Sequence, residues 1–286
     1  MWGSRRPTLV MTLLTRNEAD ILRDHLDFHL AQGVHHIIVT DNCSSDATPD
    51  ILADYVARGV VTSIYEPSDT YDQDLWVTRM ARMAADMGAR WVINSDTDEF
   101  WLPQDAPDLA SYFGRWRLAN IISVERHDFV CTGDPAEPFW QRMIYRRAVS
   151  TGALGIPLQG KVAHRGSAKI QVRQGNHRVR GLFWPRIQAS QLEILHFPLR
   201  ARTQYLDKIR TGGLAYSKNE RLGPGTGRDW RAEYAELLAT GTTAFCDANV
   251  YDGARINAAL ASEEIFVDRR LHDIMVKLPD RSITTL

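Results

Sequence analysis

The segment Trp91-Val92-Ile93-Asn94-Ser95-Asp96-Thr97-Asp98-Glu99-Phe100-Trp101 decides the fold. Its apolar run is too short for a helix and ends in a cluster of carboxylates, the pattern of a buried strand that carries acid to its tip. In an open α/β sheet ligands bind at the carboxyl ends of strands, so this tip should face a crevice. Asp96 and Asp98 are two positions apart, and an extended backbone would turn both to one face with Thr97 on the other. Two carboxylates on one face repel unless a cation lies between them. Oxygen ligands favour Mg2+ or Mn2+, with water and substrate phosphate completing the shell. The same residues also read as a solvated acidic turn, so the Asp-x-Asp pattern alone leaves both open.

Upstream, strands and helices alternate. Thr8 to Leu14 reads as a buried strand, Asn17 to Ala31 as a helix with Leu22, Leu26 and Leu30 on one face, and Val34 to Thr40 as a second strand. A helix from about Pro49 to Arg58, a strand from Val60 to Tyr65 and a helix from Leu75 to Met87 follow. Met80, Met83 and Met87 recur at helical spacing, which fits core packing better than a pliable binding face. This alternation implies right-handed crossovers and a mostly parallel sheet. Its loops, Thr15 to Glu18, Asp41 to Asp46 and Asp96 to Glu99, gather at one edge, where they suit a base, a ribose and a metal-bound diphosphate. Asp46 and Thr48 fit helix capping equally well. Neither Gly-x-Gly-x-x-Gly nor a P-loop is present, so a bound nucleotide would need a metal to carry its phosphate charge.

Downstream, a short helix over 107–116, a strand over 120–130, a turn at Thr132-Gly133-Asp134-Pro135 and an extended stretch over 139–147 are expected. The stretch from Arg146 to Arg186 then holds nine basic residues and no Asp or Glu. Like charges so placed cost stability unless an anion offsets them, so short antiparallel hairpins forming a basic platform are expected, facing a phosphate or acidic group. A solvated basic hairpin is the competing reading. A strand over 192–197, a helix over 200–209, flexible glycine-rich segments at 212–213 and 222–227, and helices over 229–238 and 257–278 complete the chain.

Composition narrows the classes. The chain of 286 residues has a formal charge of -1, which calls for no nucleic acid and no anionic membrane. Three distant cysteines, Cys43, Cys131 and Cys246, fit neither a disulfide framework nor a zinc knuckle, which points to a reducing cytoplasm. The amino-terminal apolar run is too short and polar for a signal peptide or a span, while peripheral contact with a membrane stays open.

Several of these pieces together resemble the GT-A-fold glycosyltransferases, and among them the family 2-like group with an Asp-x-Asp-Glu-Phe signature. The resemblance rests on Arg16-Asn17-Glu18-Ala19, on His36 through Thr48, and on Trp91 through Phe100, with looser matches at Phe129 to Asp134, Lys161, Gly175-Asn176-His177, His196-Phe197-Pro198, Tyr205 and Lys208. It implies an α/β GT-A fold with a mostly parallel sheet, a small basic antiparallel region and C-terminal helices. The expected organisation is a glycosyltransferase domain over 1–210, with a nucleotide-binding half over 8–101 and an acceptor half over 102–210, and a helical extension over 211–286. The implied activity is transfer from a nucleotide-sugar donor, with UDP as the expected nucleotide, to a hydroxyl of a glycan or glycoconjugate, with Mn2+ or Mg2+ and with inversion. A nucleotidyltransferase and a non-catalytic carbohydrate- or anion-binding module are the alternatives. Carried over, Thr15, Arg16, Glu18, Asp41 and Asp46 would seat the nucleoside, Arg79 would reach the diphosphate, and Asp96 and Asp98 would hold ribose and metal. His196 is the first choice for a further metal ligand and His177 the second. Among the carboxylates Asp128, Asp134, Glu137 and Glu193, Asp134 is the expected base. The basic stretch implies an acidic or phosphorylated acceptor.

Overall fold

A computed structural model of the chain describes residues 8–183, 185–223 and 225–278. The first half is built as its periodicity requires: β1 (Leu9–Thr15), α1 (Leu22–Ala31), β2 (His36–Asp41), α2 (Thr48–Ala57), β3 (Val61–Tyr65), α3 (Gln73–Asp86) and β4 (Trp91–Asp96). Every residue of β1 and β2 is buried, as expected of central parallel strands covered on both faces. Strands β5 (Glu99–Pro103), β6 (Ile121–Asp128), β8 (Lys161–Arg165) and β11 (Arg186–His196) extend this sheet, with α4 (Leu109–Gly114), α5 (Phe139–Arg142), β7 (Tyr145–Arg147), β9 (Gln171–Val172) and β10 (Val179–Arg180) between them. The chain closes with α6 (Arg202–Lys218), α7 (Arg228–Thr240), α8 (Ala244–Asn249), α9 (Gly253–Ala261), β12 (Ile265–Val267) and α10 (Arg270–Met275).

The eight-stranded sheet runs β3-β2-β1-β4-β8-β6-β11-β5. Neighbours from β3 through β4 are parallel, as are β6 and β11, while β8 and β5 run antiparallel to their neighbours. The mostly parallel α/β sheet is the one expected. On one face Leu22, Leu26, Leu52, Tyr55, Leu109 and Phe113 pack against Trp91 and Trp101. On the other, Val77, Met80, Ala81 and Ala84 of α3 cover Val10, Ile38 and Val92, with Met80 in the core and Met83 and Met87 half-buried against its edge. Trp101 is fully buried and its Nε1 donates to Ser95 Oγ at 3.1 Å; truncating so large a core side chain costs about 3–5 kcal/mol. Among the described residues no helix is long and apolar enough to cross a membrane.

Four local expectations are corrected. Helix α1 begins at Leu22 rather than Asn17, because Asn17 adopts φ 52 and the Glu18 carbonyl instead accepts from Ile21 and Leu22 in a tight turn. Residues 139–147 are not one extended stretch, since α5 precedes the short β7. Helix α6 runs straight through Gly212-Gly213, because those positions let α7 approach: a β-carbon on Gly212 would lie 2.4 Å from the Trp230 ring and one on Gly213 2.3 Å from Tyr234. The final helix is broken into α9, β12 and α10, because Glu263 takes φ 58 and β12 pairs antiparallel with β7. Helix α6 runs across the expected boundary between 1–210 and 211–286.

Candidate active site

The carboxyl ends of β1 and β4 open into a cleft of about 1010 Å³, closed on its far side by α6, α7 and the loop between β7 and β8. Asp96 and Asp98 both line it, yet the backbone between them is not extended. Strand β4 ends at Asp96, Thr97-Asp98 form a turn, and Glu99 begins β5. That turn sends the two acids to different partners, which corrects the expectation of a shared face. Asp96 Oδ1 accepts from Gln73 Nε2 and Asn176 Nδ2, each at 3.2 Å, while its Oδ2 meets the Lys161 ammonium. Lys161 lies 3.1 Å from Glu99 as well, and Arg126 lies 3.3 Å from the same carboxylate oxygen. Burial, with repulsion from Asp96, raises the Glu99 pKa in spite of those two cations.

Asp98 belongs to a second network. Its Oδ2 accepts from Lys208 Nζ at 2.7 Å, and the same ammonium donates to Glu18 at 2.8 Å. Arg200 pairs with Glu18 on one side and with Asp20 at 2.6 Å on the other. On its remaining edge, Asp98 Oδ1 faces His196 Nε2 at 3.6 Å, while His196 Nδ1 lies 2.6 Å from Asp128 Oδ1. Asp98 is buried, which alone would raise its pKa, but Lys208 above all, with Arg200, holds it far below the usual carboxylate range. Four carboxylates (Glu18, Asp20, Asp98 and Asp128) thus meet two permanent cations, Arg200 and Lys208, and the network is short of positive charge.

The other expected residues divide. Thr15 and Arg16 line the cleft, and Thr15 Oγ1 and Arg16 Nε are buried without a hydrogen-bond partner. Buried unmet polar atoms cost stability unless a ligand satisfies them, so both fit a nucleotide seat. Glu18 lines the cleft too, but as the anchor of Lys208 and Arg200. Asp41 turns to the Ser44 amide at 3.2 Å, and Asn42 reaches the cleft in its place. Asp46 accepts from the Ala19 and Thr48 amides at 3.0 and 2.9 Å, tying the turn after β1 to the start of α2, where Ala47 holds the cap position. Arg79 pairs with Glu66 at 3.3 Å outside the cleft lining. His177 lines the cleft with Nδ1 2.8 Å from the Gly160 carbonyl; burial, then Lys161 and Arg126, push its pKa down to about 3. The structure does not bring Asp134 to the cleft: its Oδ1 accepts from the Ala136 amide in an exposed turn.

The basic stretch does not form one platform. Arg146 pairs with Glu193 at 3.0 Å, Arg147 donates to Asn249, Arg165 caps carbonyls at Trp116 and Ala119, and Arg186 donates to Ser123. Lys161, Arg173 and Arg178 are its members that line the cleft. The 173–178 loop that presents the two arginines is pinned beside Asp96: the Gly175 amide donates to Gln73 Oε1 at 2.8 Å, and Gln174 donates to the Tyr216 hydroxyl at 3.2 Å. Gln73, Asn176, Arg200 and Lys208 are the site residues that sequence reasoning left without a role.

A family model described as glycosyl transferase family 2 matches residues 12–159, more than half of the chain. The chain belongs to glycosyl transferase family 2. Among solved structures, S. aureus TarS 1-349 in complex with UDP-GlcNAc aligns over 82% of this chain and 73% of that one, at 11% identity and TM-score 0.45. Glucosyl-3-phosphoglycerate synthase from Mycobacterium tuberculosis, in complex with Mn2+, UDP and glucosyl-3-phosphoglycerate, aligns over 56% of this chain and 57% of that one, at 16% identity and TM-score 0.33. No curated protein matches. As a family 2 member the protein is a glycosyltransferase that uses a nucleotide-sugar, and the nucleotidyltransferase and binding-module readings fall away.

Proposed function

We propose that this family 2 enzyme transfers a sugar from a UDP-sugar to a hydroxyl of an anionic acceptor, with inversion and with a divalent cation held at Asp98 and His196. The observation that carries this reading is the Asp98–His196–Asp128 line. A histidine whose Nδ1–H is fixed by a carboxylate turns its Nε2 lone pair outward, the arrangement that orients metal-ligating histidines. That lone pair faces an ionised carboxylate in a network short of positive charge. Among the described residues no cluster of three or more His, Cys, Asp or Glu side chains is arranged to hold a metal outright. Two protein ligands nevertheless fit Mg2+ or Mn2+, which take remaining positions from water and substrate phosphates. The bound cation would supply neutralisation of the departing diphosphate.

The chain's own residues do the rest. Thr15, Arg16 and Asn42 seat the nucleoside, Asp96 accepts from a ribose hydroxyl, and Lys208 and Lys161 add charge beside the leaving group. The acceptor oxygen forms a bond to the anomeric carbon as the bond to the diphosphate breaks, and the hydroxyl proton passes to a carboxylate. With Asp134 outside the cleft, we assign that base to Asp229 at the start of α7. It lines the cleft and its side chain makes no hydrogen bond or ion pair with another described residue, whereas Asp128 is engaged by His196 and Glu233 by Tyr205 and Thr243. Arg173 and Arg178 carry no carboxylate partner among the described residues and would meet the acceptor's anionic group. The test is UDP release from a panel of UDP-sugars by the purified protein with Mn2+ and with phosphorylated or neutral acceptors. Turnover with metal and an anionic acceptor is expected, and equal turnover in a chelator would refute the metal role.

A further inference from the structure

At the other end of the sheet from Asp96, the starts of β4, β6 and β11 lie level with the end of β8, since Trp91 pairs with Arg165, and Ile121 with both His164 and Arg186. Four loops meet there. The Gly166 amide donates to the Arg90 carbonyl at 3.3 Å, Arg165 donates to the carbonyls of Trp116 and Arg117, and Asn120 Nδ2 donates to the Phe183 carbonyl at 3.0 Å. A β-carbon on Gly181 would lie 2.1 Å from the Lys169 carbonyl, so the loop that carries Phe183 is seated on the loop that carries Lys169.

Two side chains stand out on this face. Phe183 is 90% exposed and Leu118 82%, the highest values among the exposed large hydrophobic residues described. Both lie on loops fixed by backbone carbonyl contacts, so their exposure belongs to the fold. Around them Arg90, Arg117, Lys169, Arg180 and Arg186 are exposed, and none has a carboxylate partner among the described residues. Of the nearby acids, Asp105 is taken by Arg115 at 2.8 Å, and Asp86 at the end of α3 is exposed.

Apolar tips ringed by unpaired cations match the interface of an anionic bilayer. The tips enter the headgroup region, the arginine and lysine stems cover apolar surface, and their charges meet lipid phosphates. We propose that this face is a peripheral docking surface for a membrane rich in anionic lipid, holding the cleft, at the opposite strand ends, turned away from the bilayer. An acidic protein partner would explain the charges but not two unpartnered apolar tips. A second copy would explain the tips but would set two basic rings against each other.

Co-sedimentation of the purified full chain with vesicles tests this. Vesicles of mixed phosphatidylcholine and phosphatidylglycerol should bind about tenfold more tightly than phosphatidylcholine alone, with the difference lost at high salt. Leu118→Ser with Phe183→Ser should weaken binding about tenfold, and Arg117→Glu with Arg180→Glu should remove the lipid-charge preference. UDP release by both double variants should match the unaltered protein, which shows that they fold. Equal binding to both vesicle types, no binding to either, undiminished binding by the Leu118 and Phe183 variant, or a dimer that dissociates on Phe183→Ser would each overturn the proposal.

Discussion

Lys208 Nζ lies 2.7 Å from Asp98 Oδ2 and 2.8 Å from Glu18 Oε1, so an ammonium from α6 clasps the turn after β4 to the turn after β1. Asp98 is nearly fully buried and Lys208 about a quarter exposed, so the contact is far less screened than a surface pair. Removing one partner of such a pair leaves an uncompensated charge. Lys208→Met should therefore lower stability at neutral pH by about 3 kcal/mol, read by urea denaturation. The folded pKa of Asp98 is depressed, so its contribution is present above the unfolded carboxylate range and is lost as pH falls toward the folded value. In Lys208→Met the folded pKa rises toward the unfolded one, so that loss should be smaller and should end at a higher pH. Unchanged stability and an unchanged acid limb would show that Lys208 is not the partner that matters.

Asp128 acts through His196. Asp128→Asn keeps the shape but can present an amide N–H to Nδ1, favouring the tautomer whose Nε2 carries the proton and cannot bind metal. Loss of such an orienting partner typically costs 10–100-fold in metal affinity, so Mn2+ binding followed by electron paramagnetic resonance should weaken by about tenfold or more. Asp229→Asn should leave Mn2+ binding alone and lower kcat by roughly 10²–10⁴-fold. The reverse pattern would exchange the two roles.

Arg173 and Arg178 predict a division between donor and acceptor. Substituting both with Ala should raise KM for a phosphorylated acceptor by roughly tenfold per lost charge-assisted contact, while Mn2+-dependent UDP binding holds. Equal loss on neutral and anionic acceptors would mean that the loop acts by supporting Asp96 through Gln73 and Asn176.

Two buried histidines set an acid limit to stability. Burial lowers the pKa of His25 to about 3 and that of His164 to about 4. Both are below the ordinary value of about 6.5, so the unfolded chain binds more protons between those values. Their contribution is full above the unfolded pKa and is lost as pH falls through that window, by roughly 2 kcal/mol each between about pH 6.5 and 5. Urea midpoints across that range should decline accordingly, and a flat profile would contradict the assignment of neutral buried rings.

The fold and part of the site were legible locally. Leu22 and Leu26, the apolar runs of β1 and β2, and the acids at the tip of β4 each announce their element within a few residues. The turn at Thr97-Asp98 was hidden because Asp-Thr-Asp-Glu suits both a strand tip and a turn, and the choice depends on β5 pairing with β11. Lys208 could be matched only loosely and given no role, because its partner Glu18 lies 190 positions away. The basic stretch misled for a similar reason. Its like charges find Glu193 and Asp268 and backbone carbonyls in three dimensions, which no local count reveals. Gly212-Gly213 read as flexible, yet small residues inside a helix can equally mark where another helix comes close.

Calorimetric titration of UDP with and without Mn2+, into the unaltered protein and into Asp98→Asn, reads whether a divalent cation at Asp98 holds the diphosphate. Mn2+ should tighten UDP binding by at least about tenfold in the unaltered protein and have no such effect in Asp98→Asn. UDP affinity indifferent to Mn2+ in the unaltered protein, or equal enhancement in both, would contradict it.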